Sequence, residues 1–115
     1  MGARVTVAIA GATGFVGRAL AHELCRDYKV LGLSRQARAA APADPADPVE
    51  WRRCDLFSLL EVERALEGAD HAFYLVHSML PSAHLTQGTF QDRDLICADN
   101  FARAAAKAAV KQIIY

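Results

Sequence analysis

The hydrophobic and polar positions of this chain follow two alternating periods. Short apolar or β-branched runs, bounded by glycine or polar residues, are typical of buried strands. Five such runs occur, and helix-like spacing separates most of them. The predicted strands are Arg4 to Ala10, Tyr28 to Ser34, "VEWRRCD" from Val49, "ADHAFYLVHS" from Ala69 and "KQIIY" from Lys111.

Between the strands, apolar residues recur at intervals of three and four, which predicts amphipathic helices. The first follows Gly14, the second spans "SLLEVERALEG" and stops near Gly68, and the third runs from about Phe90 to Ala109. The positions expected to face the core are Phe15, Val16, Ala19, Leu20 and Leu24, then Leu59, Val62 and Leu66, then Leu95, Ala98, Ala102, Ala105 and Ala109. The polar face of the first helix is expected to carry Arg18, His22, Glu23 and Arg26.

Strands that alternate with helices through short connections require crossovers and therefore a mainly parallel sheet. We predict one α/β domain over residues 1–115, a doubly wound Rossmann fold with about five strands in the order 3-2-1-4-5. Helices are expected on both faces, and the third strand, with its two arginines, near a sheet edge. The proline-rich "AAAPADPADPVE" from Ala39 is expected to be a surface loop. In such sheets ligands bind between strands one and four, at the carboxyl ends.

The amino-acid composition limits the classes of partner that the chain is expected to bind. The 13 basic and 13 acidic residues balance, which gives no electrostatic case for nucleic acid or a membrane surface. The three cysteines, Cys25, Cys54 and Cys97, form no C-x-x-C pair and fit reduced, packed thiols of a cytoplasmic protein. No apolar run approaches the roughly 20 residues needed to span a bilayer. The histidines lack metal-ligand spacing, so no metal site is expected.

The glycines of "GATGFVG" stand where the first strand gives way to the first helix. A dinucleotide-binding turn needs glycines there, because the backbone must turn tightly, approach a pyrophosphate and let the helix pack closely. A mononucleotide P-loop is excluded, since no Gly-Lys-Ser/Thr follows. The pattern predicts a dinucleotide partner held by the turn, at Gly11, Ala12, Thr13, Gly14, Phe15, Val16 and Gly17.

The residue about 20 positions beyond the glycines distinguishes NAD from NADP. In place of the carboxylate that would bind a ribose hydroxyl, this chain has "LSRQAR", with Ser34, Arg35 and Arg38. Arginine pairs with a 2′-phosphate, so NADP is favoured over NAD. The alternative is that these arginines are simply solvated in a loop.

With its G-x-x-G-x-x-G spacing, "GATGFVG" strongly resembles the extended and atypical short-chain dehydrogenase/reductase superfamily, including NmrA-like and sugar-epimerase-like members. The resemblance continues through "LSR", "CDL", "AFYLVHSM" and "DNFARAAAKAAVKQIIY". It covers nearly all of the chain, but only the N-terminal part of such proteins. The chain is therefore expected to be an N-terminal fragment of a longer protein, with a homodimer covering the last strand's edge as the other explanation.

The resemblance also assigns residues to the remainder of the cofactor. It implies that Asp55 and Leu56 flank the adenine, although Asp55 could instead be the N-cap of a helix beginning at Phe57 or Ser58. Val76, His77 and Ser78 would run beside the nicotinamide ribose. For His77, both a catalytic role and a polar lining of the crevice are open. Asn100 is either an inward-facing asparagine near the active site or a residue on the helix surface.

The Tyr-x-x-x-Lys pair of short-chain reductases does not occur in the sequence. The chain alone is thus expected to bind cofactor and catalyse nothing, and its catalytic residues are unknown. The whole protein would be an NADP-dependent oxidoreductase or epimerase-like enzyme with a small-molecule substrate. The alternative is a non-enzymatic NADP-sensing module resembling NmrA-like proteins, and a flavin- or adenylate-binding domain is a third hypothesis.

Overall fold

A computed structural model of the chain describes residues 4–35, 47–76 and 87–115, with side chains from residue 93 onward in the last range. Its elements alternate as predicted. The strands are β1 (Thr6–Ala10), β2 (Lys29–Ser34), β3 (Val49–Arg53), β4 (His71–Tyr74) and β5 (Gln112–Ile114). The helices are α1 (Phe15–Leu24), α2 (Leu59–Ala65) and α3 (Gln87–Lys107).

The five strands form one parallel sheet in the order β3-β2-β1-β4-β5, which confirms the predicted topology. The strand β1 lies at the centre, paired with β2 through Ala8 and Leu31 and with β4 through Ala8 and Ala72. Because β2 and β4 leave β1 in opposite directions, the strand order reverses beside β1. This reversal opens a crevice at the carboxyl ends of β1 and β4.

Helices cover both faces of the sheet, as expected. On one face α1 packs through Ala21 against Val7, Ile9 and Val30 of the two central strands. On the other face α2 and α3 bury a larger cluster that includes Val62, Leu66 and Phe101, each fully inaccessible to solvent. The central strands are thus apolar on both faces, as parallel sheets require.

The helix faces predicted from hydrophobicity are partly wrong. In α1, Phe15 is 94% exposed, Val16 is 63% exposed and Ala19 is also exposed, whereas Gly17 and Ala21 are buried. Small residues occupy the tightest contacts of the helix, at Gly17 and Ala21, while Leu20 and Leu24 are partly buried against the same cluster, as predicted. Of the positions predicted to face the core from the third helix, Ala105 is buried, whereas Leu95 and Ala102 are exposed, as is Ala109 beyond the end of α3. The other buried residues of α3 are Cys97, Phe101 and Ala104, among the residues whose side chains are described.

Several element boundaries also differ from the prediction, most clearly those of β4 and α3. The strand β4 ends at Tyr74 rather than continuing toward Ser78. The amide of Leu75 still donates to Ala10 O at 2.9 Å, but β1 turns away at Gly11 and offers no further partner. The helix α3 begins at Gln87, before the predicted Phe90, and ends at Lys107.

A Schellman motif ends α3. Val110 N donates to Ala105 O at 2.9 Å and Ala109 N donates to Ala106 O at 3.2 Å, the two bonds that define this motif. Ala109 takes the left-handed position with φ 60°, where glycine is usual. Among the described residues, no helix is both long and apolar enough to cross a membrane.

Candidate functional site

The carboxyl ends of four parallel strands bring the predicted cofactor residues to one edge of the sheet. The glycine turn follows β1, and Ser34 ends β2 with Arg35 directly after it. Asp55 lies two residues beyond β3, and Val76 lies two residues beyond β4. At this edge Cys54 N donates to Ser34 O at 2.8 Å, which joins the ends of β2 and β3. Residues that are far apart in the sequence therefore lie at the same edge of the sheet, where doubly wound folds bind their ligands.

Two of the three glycines are required by the fold itself. Gly11 has φ 91°, and a Cβ there would lie 2.9 Å from Leu75 O across the crevice. A Cβ on Gly17 would overlap the carbonyl oxygen of Gly11 and lie 2.8 Å from the Cα of Ala12. Gly17 therefore allows α1 to pack directly against the turn that precedes it.

Gly14 is different, because neither its conformation nor its neighbours require glycine. Its φ of −74° and ψ of 172° are open to any residue, and a Cβ would meet only Gly11 O, at 3.4 Å, an ordinary contact distance. The residue is exposed and is the N-cap of α1, where no side chain caps the helix. Gly14 consequently places no side chain in front of the first N–H groups of α1.

The other residues of the turn would meet a ligand mainly through their backbone. Ala12 is 1% exposed, with its side chain packed in the core, and Thr13 is half-buried. Phe15 and Val16 project away from the sheet into solvent. Their N–H groups belong to the first turn of α1, where amides have no intrahelical acceptor and the helix dipole is positive.

At the end of β2, Arg35 is exposed and Ser34 is 8% exposed. Arg38 lies outside the described residues. A residue that sequence reasoning did not place in the site is Arg53, which is exposed and pairs with Ser34 across the β2–β3 ladder. Its position could have been inferred from the parallel register, once the ends of β2 and β3 are aligned.

Asp55, in the loop after β3, is not the N-cap of α2, so the alternative role predicted for it is wrong. The cap of α2 is Ser58, whose hydroxyl accepts from Glu61 N at 3.3 Å. Asp55 instead folds the loop before the helix, since its Oδ1 accepts from Phe57 N at 3.0 Å. The half-buried carboxylate remains at the sheet edge, where the resemblance places the adenine.

The helix α3 contributes two buried or half-buried groups beside this loop. Asn100 faces inward, and its Nδ2 donates to Leu56 O at 2.9 Å. The alternative prediction, that Asn100 lies on the helix surface, is therefore wrong. One turn earlier, burial raises the pKa of Cys97, with further increases from Asp55 and Asp94 and an opposing effect of Arg35. Arg35 and Asp55 are thus each within electrostatic range of Cys97, in the middle of α3.

The end of β4 carries an aromatic cluster rather than an acid–base pair. The ring of Tyr74 lies 5.1 Å from that of Phe101 and 5.8 Å from that of Tyr115. Burial, followed by nearby Cys97 and Asp94, raises the pKa of Tyr74 to about 12, so its phenol stays protonated at neutral pH. Val76 is half-buried, whereas His77 and Ser78 lie outside the described residues.

The three cysteines are free thiols, with Cys54 and Cys97 buried and Cys25 half-buried. Burial raises the pKa of Cys54 to about 12, with smaller increases from Glu61 and Asp55. These thiols are packed and protonated, in agreement with the expected role. Within ranges 4–35, 47–76 and 87–115, no group of three His, Cys, Asp or Glu side chains is arranged to hold a metal ion.

Comparisons with known proteins bear on the family and the fold. Residues 7–115 match the model of the "NAD dependent epimerase/dehydratase family". The auxiliary protein GraX of Staphylococcus aureus is 35% identical over 109 residues, which are 95% of this chain and 35% of that protein.

Solved structures share the fold. UDP-N-acetylglucosamine 4-epimerase from Bacillus cereus superposes with a TM-score of 0.74 at 20% identity, over 96% of this chain and 38% of that one. A mutant uronate dehydrogenase from Agrobacterium tumefaciens, complexed with NAD, gives a TM-score of 0.70 at 22% identity, over 95% and 39% of the two chains. The chain thus spans well under half the length of these three proteins.

Proposed function

Since the chain belongs to the NAD-dependent epimerase/dehydratase family, we propose that it binds NADP at the carboxyl ends of its parallel strands. The pyrophosphate would lie on the turn of Gly11 to Gly17. Family membership confirms the resemblance to short-chain dehydrogenases and their epimerase-like members. The family binds an NAD(P) dinucleotide, which fits the turn-and-helix geometry at the end of β1.

The observation that carries the proposal is the bare backbone at Gly14. The fold does not need glycine at this position, because the conformation is ordinary and a Cβ would make only one contact at 3.4 Å. A pyrophosphate approaching the N-terminus of α1 does need it, because a side chain would stand between the phosphates and the backbone amides. Gly14 therefore fits a ligand requirement rather than a folding requirement.

The preference for NADP rests on charge at the end of β2. Arg35 is exposed there and available to a 2′-phosphate, and Arg53 adds a second cation at the neighbouring strand end. No carboxylate follows β2 within "LSRQAR" to accept from a ribose hydroxyl. A guanidinium binds a phosphate through paired hydrogen bonds, which favours NADP over NAD.

For the whole protein we propose hydride transfer between the nicotinamide and a small carbonyl, alcohol or sugar-nucleotide substrate. When bound, the nicotinamide would supply the hydride chemistry, while this chain's residues hold the phosphates and the adenine end. Two relatives in fold are named as an epimerase and a dehydrogenase, which supports this class of reaction. These 115 residues contain no Tyr-x-x-x-Lys pair and are expected to bind without turnover.

A second candidate function is a non-enzymatic NADP-responsive module. It is favoured by one comparison, because the relative with 35% identity bears the name of an auxiliary protein rather than an enzyme. Both candidates use the same cofactor crevice and differ in whether a proton-transfer pair exists. A Tyr-x-x-x-Lys sequence following Tyr115 in the whole protein would favour the enzyme, and its absence there would favour the module.

The test is calorimetric titration of the purified chain with NADPH and NADH, on wild type and Arg35→Ala. Loss of the paired charge-assisted hydrogen bonds should weaken NADPH binding by at least about tenfold and leave NADH unchanged. Arg26→Ala is the matched control, since Arg26 is exposed beyond α1, at the opposite edge of the sheet. Equal affinity for both dinucleotides would refute the NADP preference, and binding of neither would refute the dinucleotide site.

A further inference from the structure

One hydrogen bond joins α3 to the loop at the end of β3. Asn100 is half-buried, and its Nδ2 donates to Leu56 O at 2.9 Å across a sequence separation of 44 residues. Its neighbour Asp99 points outward and pairs with Arg103 at 2.9 Å. The two adjacent polar residues of α3 therefore have different surroundings, and only the inward one reaches the sheet edge.

The loop that receives this bond is a compact turn. Asp55 Oδ1 accepts from Phe57 N, and Asp55 O accepts from Ser58 N, both at 3.0 Å. These bonds fix the shape of the turn but not its position relative to the sheet. Its position is set by the end of β3 on one side, by α2 on the other, and by the bond from Asn100 to its middle.

We propose that Asn100 is a positioning residue that holds the Asp55–Leu56 segment where its carboxylate accepts from the adenine amino group of the dinucleotide. The inference rests on the proposed dinucleotide function and goes beyond it by assigning a role to α3. Leu56 O and Phe57 N belong to the same planar peptide unit, so the bond that fixes this carbonyl also fixes the amide that donates to Oδ1 of Asp55. Since Oδ1 of Asp55 already accepts from Phe57 N within the turn, we assign Oδ2 as the acceptor for the adenine amino group.

The electrostatic surroundings of the same helical turn support this placement. Cys97 lies one turn before Asn100, and Asp55 contributes to raising the pKa of its thiol, after the larger effect of burial. The Asp55 carboxylate is therefore close to this part of α3. An amide at position 100 is also the appropriate group, because a carboxylate there would face the Leu56 carbonyl as a second acceptor and repel it.

The experiment compares NADPH with its hypoxanthine analogue, in which an oxo group replaces the adenine amino group. Wild type should bind NADPH about tenfold more tightly than the analogue, the value of one hydrogen bond to a carboxylate. In Asn100→Asp and in the uncharged Asn100→Leu, this preference should fall below about threefold. Asp99→Asn, the reverse change on the outward side of the same turn, should retain the full preference.

A purely structural role for Asn100 predicts a different result, because it would weaken both dinucleotides by the same factor. Retention of the tenfold preference in a folded Asn100 variant would thus overturn the positioning role while leaving the proposed function intact. Failure of both variants to fold would make the bond a requirement of the fold and would also overturn it. Binding of neither dinucleotide by wild type would refute the proposed function itself, and the positioning role with it.

Discussion

The glycine turn allows folding and binding to be separated by two substitutions of the same kind. Gly14→Ala and Gly17→Ala each add one methyl group, three residues apart, at the start of α1. The structure predicts opposite outcomes. Gly17→Ala should destabilise the fold, whereas Gly14→Ala should leave stability almost unchanged and weaken dinucleotide binding.

The magnitudes follow from the space at each position. A Cβ on Gly17 would overlap Gly11 O, so α1 would have to withdraw by more than about 1 Å from the turn. Overpacking of this kind costs about 1–3 kcal/mol, and we expect the upper end because the obstructing atoms are backbone. For a domain of this size, that lowers the Tm by roughly 10 °C.

At Gly14 the two effects of an added methyl group nearly cancel. Alanine reduces the conformational entropy of the unfolded chain, which stabilises the folded state by about 0.4–1 kcal/mol. Alanine is also a poorer N-cap than glycine, which destabilises the folded state by a similar amount. The Tm should therefore change by no more than about 3 °C. The methyl group would occupy the surface proposed for the pyrophosphate, and we expect NADPH to bind at least about tenfold more weakly.

Thermal unfolding by circular dichroism and calorimetric titration with NADPH measure the two properties separately. Gly68→Ala is the control for backbone conformation, since Gly68 has φ 84°, no atom within 4 Å of an added Cβ and a position away from the crevice. It should lower the Tm without affecting binding. Wild-type NADPH affinity in Gly14→Ala would refute the ligand explanation of that glycine, and a wild-type Tm in Gly17→Ala would refute the packing argument.

Three further predictions concern the helix ends and pH. Ala109→Gly should raise the free energy of unfolding by about 1 kcal/mol, because glycine takes the left-handed conformation of this position without strain. Ala106→Gly, at an exposed position inside α3, should lower the free energy of unfolding by about as much, and urea denaturation measures both values. Ser58→Ala removes the cap of α2 and should cost about 1 kcal/mol, seen as a lower Tm with unchanged NADPH binding; an unchanged Tm would contradict the cap. The pKa of Tyr74 is about 10 in the unfolded chain and about 12 in the folded protein, so between these pH values the unfolded state binds fewer protons and the free energy of unfolding should fall as the pH rises. In Tyr74→Phe, the free energy of unfolding measured by urea denaturation should fall less over the same pH range.

The topology and the edge that carries the site could be predicted because both follow from the order of elements. Alternating strands and helices with short connections leave few parallel arrangements, and the glycine turn marks β1 as the first strand of such a sheet. The places of Gly11, Arg35 and Asp55 at strand ends follow from the same order. Local sequence was sufficient here because each of these residues is next to the end of its own strand.

The burial predicted from hydrophobicity was wrong where the distance between packed elements, rather than side-chain polarity, determines which residues are buried. In α1 the large side chain of Phe15 is exposed, and Gly17 is buried, because the helix approaches the turn too closely for anything larger. The bond from Asn100 to Leu56 could not be predicted for another reason. It joins a helix to a loop 44 residues away, and only the assembled sheet brings them together.

The parts of the proposed site depend on different portions of the dinucleotide, so their failures can be distinguished. NADPH and NADH share the pyrophosphate, and Gly14→Ala should therefore weaken both equally. Only NADPH carries the 2′-phosphate, so Arg35→Ala should change the ratio of their affinities. The hypoxanthine analogue retains both features and differs at the base edge, where an oxo group replaces the adenine amino group, so that it alone reports on Asp55 and Asn100. A dinucleotide bound elsewhere on the sheet could not give all three responses, because each arises at the carboxyl end of a different strand.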